Sequence, residues 1–277
     1  MHKLLTLATV FALGFVQTTD LFGQAKSEDS VMLPKGLQVI DNGPRTYRFD
    51  VDYITANTKG ETIMRQRLSG EYTRALPDGK ASWKNVTLAE AMGPTAEYGS
   101  KQKRDFMDDF QYANKLDETF KPEFFKDFPP AAVIERNLVW DTGMFEFFAQ
   151  DFFDKLELNT PLHTLSNQDV HMPNLGTFTN RDVVLEWIGT SQRNGQECAL
   201  ISYEAFLNPL KVETGGMSLQ GRSDYWGQLW VSKSTKQIEY ATLREVVVAE
   251  LKLPGQETAQ VINVFRNGTF KPVKAGQ

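Results

Sequence analysis

Polar and apolar residues alternate from the first ordered-looking stretch onward. Tyr47, Phe49, Val51 and Tyr53 interleave with Arg48, Asp50 and Asp52, the period of two that marks a half-buried strand. Asn57-Thr58-Lys59-Gly60 supplies a turn, and residues 63–75 read as the returning strand. Leu76-Pro77-Asp78-Gly79-Lys80 turns the chain again, with proline presetting φ and glycine accepting the left-handed position. Residues 83–91 give a third strand, so this segment reads as an antiparallel meander. The same period returns late in the chain. Residues 183–188 and 198–206 flank Arg193-Asn194-Gly195-Gln196, and Asn-Gly fits a type I′ hairpin turn. Residues 225–231 and 237–253 flank a second polar turn at 232–236, and Pro254-Gly255 leads into a last strand at 259–265.

Between these halves the period changes. Phe106, Phe110, Ala113, Leu116 and Phe120 fall at helical steps of three and four. Pro122 opens a short helix carrying Phe124, Phe125 and Phe128, which Pro129-Pro130 ends. Asp141-Thr142 then caps a third helix, whose stripe runs through Met144, Phe145, Phe148, Ala149, Phe152, Phe153 and Leu156. Residues 159–180, broken by Pro161, Pro173 and Gly176, read as an irregular connection. Strands, then helices, then strands imply an α+β fold: a curved antiparallel β-sheet, meander or half-barrel-like, with a central block of Phe-rich helices packed on one face. A single domain is expected over 45–277, with strands at 45–91 and 181–270, the helical block at 100–158, and a partly flexible lead-in at 26–44.

The N-terminus carries a different message. Lys3 precedes an uncharged apolar run, residues 4–16, and Gly23 and Ala25 place small residues three and one before a cut after Ala25. This is the layout of a cleaved signal peptide, residues 1–25; the run is shorter than the roughly 20 residues of a membrane span. The expectation is an exported protein, periplasmic or extracellular, soluble after cleavage near Ala25 and without a transmembrane span in the mature chain.

Composition narrows the function classes. The 277 residues include 30 Lys+Arg and 35 Asp+Glu, a formal net charge of −5, which argues against a nucleic-acid partner. One cysteine, Cys198, excludes an intramolecular disulfide and reads as a buried, inert thiol beside Leu200. Besides His2, the histidines are His163 and His171, eight apart with Asp169 between them. Neither HExxH nor CxxC occurs, so no metal or other cofactor is assigned. The carboxylates Asp105, Asp108, Asp109, Asp151, Asp154 and Glu157 read as solvated helix faces rather than an acid–base pair. The Gly-x-Ser-x-Gly elbow, the phosphate loop and the dinucleotide fingerprint are absent, and no catalytic residue is assigned.

Eleven of the 16 phenylalanines after residue 25 lie between Phe106 and Phe153. They read either as solid core or as the rigid lining of an apolar pocket. The strand Tyr225-Trp226-Gly227-Gln228-Leu229-Trp230-Val231, its polar turn and Gln237-Ile238-Glu239-Tyr240 resemble the sheet hairpins of the periplasmic lipoprotein-carrier family. In that family a half-barrel sheet holds acyl chains beneath helices. The resemblance implies a cavity for an apolar ligand; the longer chain and single helical block depart from the family pattern. The leading expectation is a non-enzymatic binding protein for a lipid or other apolar molecule, contacted by Trp140, Phe145, Phe148, Phe152, Phe124 and Phe128. The alternatives are an envelope protein that docks a protein partner around a solid aromatic core, and a hydrolase using the acidic groups or the His163/His171 loop.

Overall fold

The alternating segments do form strands. A computed structural model describes residues 33–113, 121–130, 132–172 and 175–273. The export segment, 1–25, the start of the lead-in, 26–32, and two residues of the expected first helix, Leu116 and Phe120, lie outside the described residues. Strands β1 (Arg45–Asn57), β2 (Thr62–Leu76) and β3 (Lys80–Met92) make the first meander. The second series comprises β9 (Val183–Arg193), β10 (Gln196–Thr214), β11 (Met217–Ser232), β12 (Ile238–Lys252) and β13 (Gln260–Pro272). The β9–β10 hairpin turns at Asn194 and Gly195, both at positive φ, 49° and 77°, as the Asn-Gly pair requires. β13 returns to pair antiparallel with β1, so both series share one sheet.

Five short strands complete it: β4 (Gln102–Lys103) and β5 (Phe110–Ala113) beside β3, β6 (Leu162–Thr164) beside β9, and β7 (Gln168–Met172) and β8 (Gly176–Asn180) beyond β10. Strand accounts for 60% of the described residues and helix for 13%, in a single open curled antiparallel sheet. Among the described residues no helix is long and apolar enough to cross a membrane.

The expected central block of helices is not there, and the α+β assignment is corrected accordingly. One α-helix, α1 (Val133–Gln150), is found among the described residues. Around Phe106 the chain makes only a 3₁₀ turn, Asp105–Met107; Asp109 then adopts a positive φ of 59°, and Phe110–Ala113 pair with Trp83–Lys80 on β3. A left-handed residue cannot continue a right-handed helix; the Phe106 and Phe110 rings instead both pack on Phe128, at 5.1 and 4.9 Å. Pro122–Phe125 is also only a 3₁₀ turn. The third helix begins at Val133, upstream of the expected cap. Asp141 and Thr142 sit inside it: the Thr142 hydroxyl donates to the Leu138 carbonyl at 2.6 Å, and the Asp141 carboxylate leaves the helix for the sheet. Residues 159–180 are likewise more regular than expected, with left-handed Asn159, Leu165 and Asn167 shaping the turns around β6 and β7.

α1 lies on the concave face, and its C-terminal half closes the core. The Phe145 ring packs edge-on against Phe49 at 5.6 Å and against Phe270 at 5.7 Å, with Tyr203 beyond it. Phe148 packs on Tyr203 at 5.5 Å. Such pairs add about 0.5–1.5 kcal/mol each beyond their area burial. A second aromatic knot joins Phe106, Phe110, Phe124, Phe125 and Phe128, with Trp140 of α1 against Phe125 at 5.6 Å.

Candidate functional site: a cavity on the concave face

Inward positions of neighbouring strands line up in rows across the sheet, and the rows differ in chemistry. One joins Leu229, Ala241, Phe270 and Phe49; the next joins Gly227, Leu243, Gly268 and Val51. Phe145 fills the space above them. Space at Gly268 is tight: a Cβ would lie 3.1 Å from the Phe49 ring and 3.2 Å from Leu243. Further along the strands come Ser223, Val247, Val264, Thr55 and Met64, then Gly221, Ala249 and Ile262, then Leu219 and Leu251. Here the side chains are mostly small or aliphatic, and a cavity of about 1380 Å³ opens. Val133, Ile134, Asn137, Trp140 and Met144 of α1 face it, and Leu165, Val170, Leu175 and Phe178 from the short-strand region form another wall.

Between the filled and hollow parts runs a polar row: Tyr225 on β11, Glu245 on β12, Arg266 on β13, Tyr53 on β1. All four are buried, and all four line the cavity. The Arg266 guanidinium donates to Glu245 with one terminal nitrogen and to Asp141 of α1 with the other. Its plane lies over the Tyr53 ring, 5.2 Å from the centroid. Ser223 donates to the second Glu245 oxygen at 2.5 Å, and the Tyr225 hydroxyl donates to Asn180 at 2.9 Å. Burial pushes the Asp141 carboxyl up to about 7; Arg266 pulls against that shift and Glu245 adds to it. Burial also raises the Tyr53 hydroxyl to about 12. Two carboxylates thus share one guanidinium in a desolvated wall.

The arrangement recurs farther along α1. Arg74 on β2 reaches Glu146 of α1 and Asp41 of the lead-in, each at 3.3 Å, and Tyr72 donates to Glu146 at 3.1 Å. Arg74, Glu146 and Asp41 also line the cavity.

Of the ligand-contact residues expected from sequence, Trp140 and Phe148 stand in the cavity wall. Phe145 is buried against Phe49 and Phe270, and Phe152 packs on Phe147 at 5.0 Å. Phe124 and Phe128 belong to the second aromatic knot. The histidines are separated in role: His163 on β6 holds Asp182 at 2.6 Å on the surface, while His171 and Asp169 on β7 stand at the cavity. No metal-binding group of three or more His, Cys, Asp or Glu forms among the described residues. Cys198 is buried, and burial lifts its thiol to about 11. The Gly221-Arg222-Ser223-Asp224 segment lies inside β11. Sequence reading missed Asp141, Glu245 and Arg266. Glu245 and Arg266 interrupt the inward phases Leu243-x-Glu245-x-Val247 and Val264-x-Arg266-x-Gly268, opposite charges at apolar positions of consecutive strands.

No protein-family model matches the chain. No curated protein matches it either. Among solved structures, one of lipovitellin, described as showing lipid–protein interactions, overlays with a TM-score of 0.45 at 12% identity. The overlay covers 86% of this chain and 26% of that one, so the chain spans about a quarter of lipovitellin's length. A DUF1329 family protein from Desulfovibrio piger overlays with a TM-score of 0.16 at 5% identity, over 85% of this chain and 88% of that one. Both scores are low, so what the cavity holds has to be decided by its own residues.

Proposed function

We propose that this chain is a non-enzymatic, exported binding protein for a lipid or other apolar molecule of the cell envelope, held in the cavity between α1 and the concave sheet. The observation that carries the reading is the aliphatic wall of Leu219, Val247, Leu251, Ile262 and Val264, which faces a cavity of about 1380 Å³ instead of a packing partner. Drug-sized sites span about 300–1,000 Å³, so a long chain or a ring system fits. An apolar ligand that loses about 300 Å² of surface there gains about 7 kcal/mol before the costs of ordering it. Trp140 and Phe148 contribute rigid contact area from the helix side.

The test is native mass spectrometry of the mature protein from its own envelope, followed by organic extraction. A reproducible added mass that extracts as an apolar compound is the expected result. Val264→Trp, which fills the cavity from β13, should remove that mass while leaving the far-ultraviolet circular dichroism of the sheet unchanged. A bare polypeptide mass, with no fluorescence gain from added N-phenyl-1-naphthylamine, would sink the proposal.

A docking role is the second reading. Phe206, Leu207 and Trp226 are all exposed, with the Phe206 and Trp226 rings 6.3 Å apart and Leu207 in the bulge between Ala205 and Asn208. It predicts a stable protein complex on pull-down from the envelope that Trp226→Ser abolishes.

A further inference from the structure

Among the described residues, six carboxylates line the cavity against two guanidiniums, with no lysine in its wall. Each guanidinium already faces two carboxylates, so neither offers net positive charge to a ligand anion. Arg266 is shared by Asp141 and Glu245, and Arg74 by Asp41 and Glu146. The remaining carboxylates, Asp151 and Asp169, are exposed, so the field at the opening has the same sign as the field within. Buried donors in the wall are also unmatched: Arg266 Nε, Arg74 Nε and Gln150 Nε2 have no hydrogen-bond partner. All three residues line the cavity. An unpaired buried donor is costly, and an acceptor atom brought by a ligand relieves it.

We infer that the cavity selects uncharged apolar molecules bearing a hydrogen-bond acceptor, such as an ester or alcohol, and rejects the corresponding anions. The inference rests on the reading of the cavity as a ligand site and names the class of molecule that site takes. An added negative charge meets a wall already in anionic excess, in a medium where unit charges interact far more strongly than in water. A cation escapes that repulsion but offers only donors to these unmatched donors. A neutral ester meets neither objection.

The experiment displaces N-phenyl-1-naphthylamine from the full mature protein at pH 8.5, with all competitors below their micelle concentrations. Methyl laurate should displace the probe at a concentration at least about tenfold lower than laurate, with dodecylammonium between them. Comparing the two ions separates the sign of the charge from the general cost of desolvating one. Asp141→Asn should strengthen laurate about threefold or more relative to methyl laurate. Asp169→Asn, an exposed substitution at the rim, should act in the same direction more weakly and serves if the first variant does not fold. Laurate binding as tightly as dodecylammonium would overturn the rejection of anions, and dodecylammonium binding more tightly than methyl laurate would overturn the assignment of a neutral ligand. A protein that binds neither probe nor competitor refutes the cavity reading itself, a separate outcome.

Discussion

Asp141 of α1 and Arg266 of β13, 125 residues apart in sequence, form a buried ion pair that ties the helix to the middle of the sheet. The pair is not balanced, because Glu245 claims the same guanidinium. Much of the protein's response to pH and substitution follows from that surplus carboxylate.

Stability should fall as pH rises from about 4 to about 7. The Asp141 carboxyl has a folded pKa of about 7 against an ordinary 3.8, so within that window the folded state holds a proton the unfolded chain has released. The contribution is fully present below the unfolded value and is lost as pH passes the folded one. A shift of about 3 units corresponds to about 4 kcal/mol. Urea midpoints at pH 5, 6, 7 and 8 for the wild type and Asp141→Asn check this. The difference between the two proteins should shift from pH 5 to 7 and level off by pH 8, and a constant difference would remove Asp141 as the cause.

Arg266→Met should cost about 3–5 kcal/mol, because it leaves two carboxylates buried without a counter-charge. The loss belongs to the orphaned acids more than to the missing contact. Adding Asp141→Asn and Glu245→Gln to Arg266→Met should therefore recover a large part of it. Chemical denaturation of the single and triple variants measures the recovery, and an additive further loss would contradict this account.

Phe145→Ala and Leu219→Ala should differ sharply. Phe145 is enclosed by Phe49, Phe270 and Tyr203, and its removal should cost about 3–5 kcal/mol. Leu219 borders the cavity, so its truncation enlarges a space that already exists and should cost about 1 kcal/mol or less. Similar losses in guanidinium titrations would mean that the wall is packed and not hollow.

Gly227→Ala should destabilise by about 3 kcal/mol, the upper end for overpacking. A Cβ there would overlap the Thr242 carbonyl oxygen and lie 2.5 Å from the Tyr203 hydroxyl. That hydroxyl donates to the same carbonyl at 2.7 Å, so the substitution disturbs both the ladder and a buried hydrogen bond. Calorimetry should show a lowered Tm; an unchanged one would mean that β11 and β12 yield more easily than their geometry suggests.

The long strands were legible because their inward positions are nearly all apolar and their turns carry Pro-Asp-Gly, Asn-Gly and Pro-Gly. The helices were legible only in part. Phe106 and Phe110 have helical spacing, but a left-handed Asp109 and pairing with β3 decide the local structure, and neither is encoded in apolar periodicity. α1 was read eight residues short because Asp141-Thr142 resembles a cap, whereas the carboxylate serves a partner on β13 that local pattern cannot supply. The polar row was missed for a related reason. Glu245 and Arg266 look like ordinary strand charges until the phase of each strand is fixed, and only then does their inward position stand out. Trp140 and Phe148 were found through the density of aromatic residues, the same density that places Phe145 in solid core.

Tyr225, Glu245, Arg266 and Tyr53 come from four strands, and they align only when three separate pairings are correct at once. A one-residue slip of β13 would turn the guanidinium to the outer face and strand Glu245 inside. A two-residue slip would set Glu245 beside Val264 or Gly268, again unpaired. Either error carries the cost of an uncompensated buried charge, several kcal/mol, whereas sliding an all-aliphatic row would exchange one valine for another. The charged row therefore penalises mispaired sheets during folding, and a chain in which it is replaced by aliphatic residues should gain stability while losing fidelity of strand alignment.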